Sequence, residues 1–211
     1  MKAIIFDLDG VLVFTDRFHY LAWKALADRL GIYFDETINN RLRGVSRMES
    51  LDIILERSER EYSAQEKEAF AAEKNEHYRQ LLTTMTPADV TDEVRETLTE
   101  LRRRGCRLAV GSSSKNAKFI LERVGLTEAF DAISDGTNIT RSKPDPEVFL
   151  KAAEFLGEQP GDCAVVEDAF AGIDAAKAAG MLAIGVGDAA SYEKTDKALA
   201  HFAELLELFE G

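Results

Sequence analysis

Short apolar runs punctuate the chain, and each of them ends abruptly in polar residues. Runs of this length, rich in branched side chains, are typical of strands buried on both faces of a parallel sheet. Five such strands are predicted, and they cover residues 3–6, 108–110, 132–133, 164–166 and 182–186.

Segments with helical spacing lie between most of these runs, and each one is closed by a glycine suited to a left-handed cap. They cover residues 92–104, 115–124, 146–156 and 169–179. Alternation of strands and helices implies right-handed crossovers, and hence an α/β fold with a doubly wound, Rossmann-like parallel sheet. Ligands bind such sheets at the carboxyl ends of the strands, which is where the polar residues stand.

One long segment breaks the alternation, because residues 15–87 contain no strand-like run. Amphipathic helical stretches fill it instead, at 18–30, 46–56 and 64–82. We therefore predict an all-helical cap domain at 15–87, inserted into a core domain formed by 1–14 and 88–211. The insertion leaves and returns near one strand end, so it is expected to act as a lid. A final helix is predicted at 201–209.

Composition narrows the classes of partner. The chain has 211 residues, and 26 Lys and Arg against 38 Asp and Glu give a formal charge of -12. That charge repels phosphate backbones and anionic lipids, so neither nucleic acid nor a membrane is an expected partner. The apolar run before Asp7 is too short for a secretion signal, which predicts a cytoplasmic protein. Cys106 and Cys163 lack CxxC spacing and are interpreted as buried, reduced thiols.

A pair of carboxylates, Asp7 and Asp9, follows the first strand. In extended backbone a spacing of two aims both side chains to one side. One carboxylate is then able to attack phosphorus and form an acyl phosphate, while the other serves as general acid and base. A helix cap or an Asx turn before Gly10 is the alternative interpretation.

A second acidic pair, Glu167 and Asp168, ends another apolar run in the same way. Several carboxylates at one sheet edge repel one another unless a cation joins them, and Mg²⁺ suits carboxylate and phosphate oxygens. The sequence therefore predicts a Mg²⁺ site here, and a cap of the helix that follows is the alternative interpretation for one of the two residues.

A hydroxyl-rich loop follows the second strand and opens a helix, which makes a candidate anion site. A simple capping loop is the alternative for this run. In a separate loop, Lys143 precedes Pro144, and a fixed ammonium beside several carboxylates would neutralise charge on nucleophile and substrate. The candidate phosphate-binding residues are Ser112, Ser113, Lys115, Asn116 and Lys143.

Four strings together resemble the motifs of the haloacid dehalogenase superfamily of phosphotransferases: FDLDG at 6–10, GSSSKN at 111–116, SKPDP at 142–146 and VEDAFAGI at 166–173. The resemblance implies that Asp7 becomes an aspartyl phosphate and that Asp9 is the general acid and base. It places Ser112 and Lys143 on the phosphate. It also implies a Mg²⁺ site made of Asp7, the backbone carbonyl of Asp9, Glu167 and Asp168.

The helical insertion is similar to the cap of the β-phosphoglucomutase branch of that superfamily, through the strings at 19–26, 41–51 and 73–78. This resemblance implies an enzyme that interconverts β-glucose 1-phosphate and glucose 6-phosphate through β-glucose 1,6-bisphosphate. His19 would hold Asp9 and couple cap closure to proton transfer. Arg47, whose guanidinium suits a second phosphate, would clamp the phosphate that is not transferred. The remaining substrate residues would be Thr15, Trp23, Gly44, Val45, Ser46 and Lys74.

Two other classes of function remain open. A sugar-phosphate or phosphoglycolate phosphatase on the same fold would pass the phosphoryl group to water. A signalling receiver would keep it as a switch, but the insertion after the first strand and the nucleophile candidate at that strand's end argue against this class. A lid that opens and closes is compatible with a monomer. The chain departs from the family pattern at Val13-Phe14, and no family match is readable after Asp188.

Overall fold

The computed structural model describes residues 3–42 and 45–209. The chain forms two compact units. One combines Met1–Phe14 with Thr86–Gly211, and the other is the segment Thr15–Met85.

The larger unit contains a six-stranded parallel sheet, which confirms the predicted fold class. Its strands are β1 (Ala3–Phe6), β2 (Arg107–Gly111), β3 (Ala132–Ser134), β4 (Cys163–Glu167), β5 (Leu182–Gly185) and β6 (Lys197–Ala198), in the order β3-β2-β1-β4-β5-β6. The central strands are fully buried on both faces, which is why they consist of branched and small apolar residues.

The strand order reverses between β1 and β4, which are paired in register from Ala3 with Cys163 to Phe6 with Val166. The chain winds to one side of β1 for β2 and β3, and to the other side for β4 to β6. A reversal of this kind opens a crevice at the carboxyl ends of the two strands, where doubly wound sheets bind their ligands.

The helices of this unit are α5 (Asp92–Arg103), α6 (Ala117–Arg123), α7 (Glu147–Leu156), α8 (Phe170–Ala178) and α9 (Leu205–Leu208). α6 begins two residues later than predicted, because the serine-rich loop before it forms its own turns. The predicted helix at 201–209 is wrong as one element. A 3₁₀ turn at Phe202–Glu204 precedes the four residues of α9, and the Arg104 guanidinium donates to the carbonyls of Leu206 and Phe209 at the end of this segment.

All the regular secondary structure described in the smaller unit is helical. It contains α1 (Asp16–Leu30), α2 (Glu36–Asn40), α3 (Arg47–Leu55) and α4 (Ala64–Leu82). Capping boxes fix the starts of α3 and α4, where Ser46 pairs with Glu49 and Ser63 with Glu66. A hydrophobic core of its own, which includes Trp23, Leu26, Phe34, Leu51 and Ile54, holds the helices together. Throughout 3–42 and 45–209, no helix is both long and apolar enough to cross a membrane.

Candidate active site

Three carboxylates meet at the carboxyl ends of β1 and β4. Asp7 directly follows β1, Glu167 is the last residue of β4, and Asp168 comes next. Each offers an oxygen within 4.8 Å of those of the other two. The pairing of β1 with β4 brings them together, so residues 160 positions apart in the chain share one site.

Two glycines leave the space that these carboxylates occupy. Gly10 has φ +88°, and a Cβ there would lie 2.1 Å from Oδ2 of Asp168. A Cβ on Gly172, in α8, would lie 2.1 Å from Oε1 of Glu167. Any larger residue would therefore displace an acidic side chain, and Gly10 also needs a left-handed backbone that other residues rarely adopt.

Lys143 is the cation of this site and is buried with it. Its Nζ donates to Oδ1 of Asp7 at 2.5 Å and to Oε2 of Glu167 at 3.3 Å. The ammonium also lies 4.7 Å from the ring centroid of the buried Phe149. One side chain thus reaches both neighbouring strand ends from a loop.

The charges are unbalanced in this cluster. Burial by itself lowers the pKa of Lys143, but Asp7 and Glu167 outweigh that effect and raise it above its ordinary value. Burial and the neighbouring Asp7 charge raise the pKa of Glu167 well above its usual range, and Lys143 offsets this only in part. More negative charge is gathered here than one ammonium neutralises.

This donor set fits Mg²⁺. Hard carboxylate oxygens from three residues converge, and the excess negative charge is what a divalent cation would compensate. The carboxylate of Asp9 is not in the group, and the prediction that Asp9 contributes its backbone carbonyl stays a prediction. β1 ends at Phe6, so the extended-strand argument for aiming Asp7 and Asp9 to one side does not apply.

The serine-rich loop lies at the end of the adjacent strand β2. Hydroxyls within it accept from its own backbone: Ser112 Oγ from the amide of Ser114, and Ser114 Oγ from the amide of Asn116. The buried hydroxyl oxygen of Ser113 has no hydrogen-bond partner among the residues that the structure describes. Ser112 and Asn116 are buried, whereas Lys115 is exposed. The loop therefore holds one buried polar atom that a bound anion would satisfy.

The smaller unit contains a cationic cluster of its own. Lys74 is buried, with only 3% of its surface exposed. Its ammonium lies 4.6 Å from the ring centroid of Trp23 and 4.5 Å from that of Tyr78. Its Nζ is 2.9 Å from Nδ1 of His19, whose ring stacks on Tyr78 with centroids 4.1 Å apart. Two aromatic faces thus stabilise a positive charge that burial would otherwise disfavour.

His19 is held neutral by this environment. Burial, followed by the charges of Lys74 and Arg47, lowers its pKa well below the ordinary value of 6.5. An ammonium has no acceptor, so Lys74 donates to Nδ1 and the ring proton is assigned to Nε2. His19 therefore offers a neutral N–H donor. Arg47 is half-buried, and its burial lowers its own pKa without removing its charge.

The other residues predicted to contact substrate in this unit are distributed more widely. Thr15 is buried directly before α1, and Ser46 is the N-cap of α3, where its hydroxyl accepts from the amide of Glu49. Val45 is half-buried. Gly44 lies outside the described residues. Tyr78 was not among the predicted residues. Its position one helical turn after Lys74 on α4 is the signal that could have identified it.

Comparison with protein families assigns residues 1–180 to the haloacid dehalogenase-like hydrolases. The chain belongs to this family. The resemblance inferred from the four motifs is thereby confirmed.

Named relatives of this haloacid dehalogenase-like chain include both mutases and phosphatases. It is 45% identical over 189 residues to the β-phosphoglucomutase of Bacillus subtilis, covering 89% of this chain and 84% of that protein. It is 34% identical to a fructose-1-phosphate phosphatase of Escherichia coli, covering 87% and 95%. A crystal structure of β-phosphoglucomutase from Clostridium difficile matches with a TM-score of 0.90 and 39% identity, covering 97% of this chain and 93% of that one.

The neutral state of His19 predicts how the stability of this haloacid dehalogenase-like protein depends on pH. Because the folded state resists protonation and the unfolded state does not, the unfolded chain binds more protons below about pH 6.5. The free energy of unfolding should therefore fall as the pH drops through that value. Urea titrations of wild type and His19→Gln between pH 7.5 and 5.5 measure the difference.

The matched control is His201→Gln, which removes an exposed histidine from the larger unit. Wild type and the His201 variant should lose stability in parallel on acidification, and His19→Gln should lose less. If the free energy of unfolding depends on pH with the same slope in all three proteins, the assignment of His19 as a neutral imidazole is contradicted.

Proposed function

We propose that this protein is a Mg²⁺-dependent phosphomutase that interconverts β-glucose 1-phosphate and glucose 6-phosphate through β-glucose 1,6-bisphosphate. The observation that carries this proposal is the second cationic cluster, made of Lys74, Arg47 and the neutral donor His19. A mutase must bind two phosphates, whereas a simple phosphatase needs a site for one. The 45% identity to a β-phosphoglucomutase supports the same assignment.

The chain's own residues suggest the order of events. Asp7 is proposed to attack the phosphoryl group, while Lys143, held against its Oδ1, neutralises charge on the nucleophile and the phosphate oxygens. Asp9 is proposed to give a proton to the leaving oxygen and to take one from the hydroxyl that attacks next. Mg²⁺ bound by Asp7, Glu167 and Asp168 would supply further positive charge to the phosphate oxygens.

The serine-rich loop is proposed to bind the transferring phosphate. Ser112, Ser113 and Asn116 present buried polar groups at the end of β2, and the Ser113 hydroxyl lacks a partner among the described residues. In the helical unit, which we propose acts as a cap, Trp23 and residues 44–46 are assigned to the sugar. We further propose that the protein is cytoplasmic and acts as a monomer, with which a lid that opens and closes is compatible.

A two-product assay tests the function. Purified protein is incubated with Mg²⁺, β-glucose 1-phosphate and a trace of glucose 1,6-bisphosphate, and glucose 6-phosphate and free phosphate are followed together. Rapid formation of glucose 6-phosphate with little free phosphate is expected. Free phosphate as the main product would instead support a sugar-phosphate phosphatase, the second candidate, which the 34% identity to a fructose-1-phosphate phosphatase favours.

The role of Arg47 gives a sharper prediction. Arg47→Ala should lower kcat/KM for the mutase reaction by about 10- to 100-fold, because it removes charged hydrogen bonds to the phosphate that is not transferred. Hydrolysis of a small monophosphate, which has no second phosphate, should change little. Steady-state assays on both substrates measure the two effects.

Arg60→Ala is the control, because Arg60 is an exposed arginine of the same unit with a side chain 65% accessible. It should leave both reactions unchanged. Equal losses on both substrates in the Arg47 variant would remove the distal-phosphate assignment.

A further inference from the structure

The loop that follows β5 holds the backbone of two proposed metal ligands. The amide of Val186 donates to the carbonyl of Glu167 at 2.9 Å, and the amide of Ala189 donates to the carbonyl of Asp168 at 3.1 Å. Ala189 is completely buried. A Cβ on Gly185 would lie 2.4 Å from the Ala189 carbonyl oxygen, so the loop folds back on β5 without spare room. The backbone of the acidic pair is therefore fixed from this loop.

The same loop ends at Tyr192, whose ring packs against the start of α8. The rings of Tyr192 and Phe170 are stacked, with centroids 4.5 Å apart and an angle of 15° between their planes. Phe170 is the first residue of α8 and stands two positions after Asp168. The Tyr192 hydroxyl also donates to Asp174 on the same helix at 3.1 Å.

Two contacts hold the short segment from Asp168 to Phe170, one at each end. The Ala189 amide bonds to the carbonyl of Asp168, and the ring of Tyr192 stacks on Phe170. Tyr192 is tied to the loop because its amide donates to the carbonyl of Ala189 at 3.2 Å. Ala189 in turn holds the carbonyl of Asp168. A shift of the helix start relative to the loop would break the stack and strain the bond to Asp168 together.

We propose that Tyr192 is a positioning residue for the metal site, acting through its stack on Phe170 to hold Asp168 where it binds Mg²⁺. This inference rests on the metal role given to Asp168 in the proposed function. Partners outside the ligand set commonly change metal affinity by about 10- to 100-fold when they are removed. Tyr192 occupies that position here, because its ring stacks on Phe170, two residues after Asp168.

The test measures metal affinity independently of turnover. Mn²⁺ binding is followed by electron paramagnetic resonance, with Mg²⁺ as competitor, in wild type, Tyr192→Phe, Tyr192→Leu and Tyr192→Ala. The Leu and Ala variants should bind Mn²⁺ and Mg²⁺ about tenfold more weakly. Tyr192→Phe keeps the stack and should bind like wild type. In assays, the Mg²⁺ concentration for half-maximal rate should rise in the Leu and Ala variants, while kcat at saturating Mg²⁺ stays near that of wild type.

Tyr62→Ala is a closely matched control. Tyr62 also packs on a phenylalanine, Phe70, at 5.2 Å and lies beneath an arginine, as Tyr192 lies beside Lys194, but it belongs to the helical unit. Its loss should not alter metal affinity. If Tyr62→Ala weakens binding as much as Tyr192→Ala, or if Tyr192→Phe binds as weakly as Tyr192→Ala, the proposal is overturned.

A further variant separates this proposal from the proposed function. Glu167→Gln removes a proposed ligand and should abolish binding. Weak binding in Glu167→Gln together with wild-type affinity in Tyr192→Ala would overturn the positioning role alone. Absence of Mn²⁺ and Mg²⁺ binding in the wild-type protein would overturn the metal role in the proposed function as well.

Discussion

Asp7→Asn should abolish phosphoenzyme formation and lower kcat by at least about 10⁴-fold, because an amide of the same shape cannot become an acyl phosphate. The readout is the intact mass of the protein after incubation with Mg²⁺ and glucose 1,6-bisphosphate, taken together with the rate of glucose 6-phosphate formation. Wild type should gain the mass of one phosphoryl group, and the variant should not. Asp9→Asn should keep metal and substrate binding but lose turnover.

The control for this experiment is Asp162→Asn. Asp162 is an exposed aspartate directly before β4. It lies at the amino end of that strand, whereas the site lies at the carboxyl end, so its variant should behave as wild type. Normal turnover in Asp7→Asn would end the assignment of Asp7 as nucleophile. A phosphoprotein that forms in wild type but never turns over would instead favour a phospho-switch.

Lys143→Met should destabilise the protein by about 3–5 kcal/mol at neutral pH in the absence of Mg²⁺, as expected when one partner of a buried ion pair is removed. Methionine keeps the apolar stem but leaves the buried carboxylates of Asp7 and Glu167 uncompensated. Added Mg²⁺ should restore part of the loss, because binding to the folded state stabilises it. Urea titrations with and without Mg²⁺ measure both effects, and mutase activity should be lost.

The loss should also shrink as the pH falls, since the raised pKa of Glu167 means that this carboxyl readily takes up a proton. Lys67→Met is the control. The side chains of Lys67 and its partner Asp52 are both solvent-accessible, at 32% and 55%, so their pair is worth about 1 kcal/mol or less. If Lys143→Met proves as stable as wild type without Mg²⁺, the buried ion pair does not have the strength assigned to it.

The sheet could be predicted because its central strands are short, apolar and buried on both faces. Elements that lack such a pattern were missed. β6 has only two residues, Lys197 and Ala198, both exposed, and therefore shows no periodicity. α2 has five residues, too few for a helical repeat to show, and is fixed by Asp35, whose side chain accepts from the amide of Ile38.

The site was predictable where its residues follow or end strands, as Asp7 and Glu167 do respectively. Lys143 lies in a loop 136 residues from Asp7 along the chain, so its place beside Asp7 was predicted from charge balance and from the motif resemblance, not from a local pattern. No local pattern marks the loop from Val186 to Tyr192, because its contribution is made by backbone amides and one aromatic stack. Such contacts depend on tertiary packing, which neither hydrophobic periodicity nor residue type encodes.

The central position of β1 has a consequence for biosynthesis. β1 is made first, yet one of its edges pairs with β4, which ends at Glu167. At the usual rate of translation, that edge waits roughly 10 to 30 s for its partner strand. During this time the nascent chain carries an apolar strand with an open edge, a feature prone to incorrect pairing. Ribosome-bound fragments that stop before residue 163 should therefore be substrates for chaperones, and the carboxylate cluster cannot form before Asp168 has been synthesised.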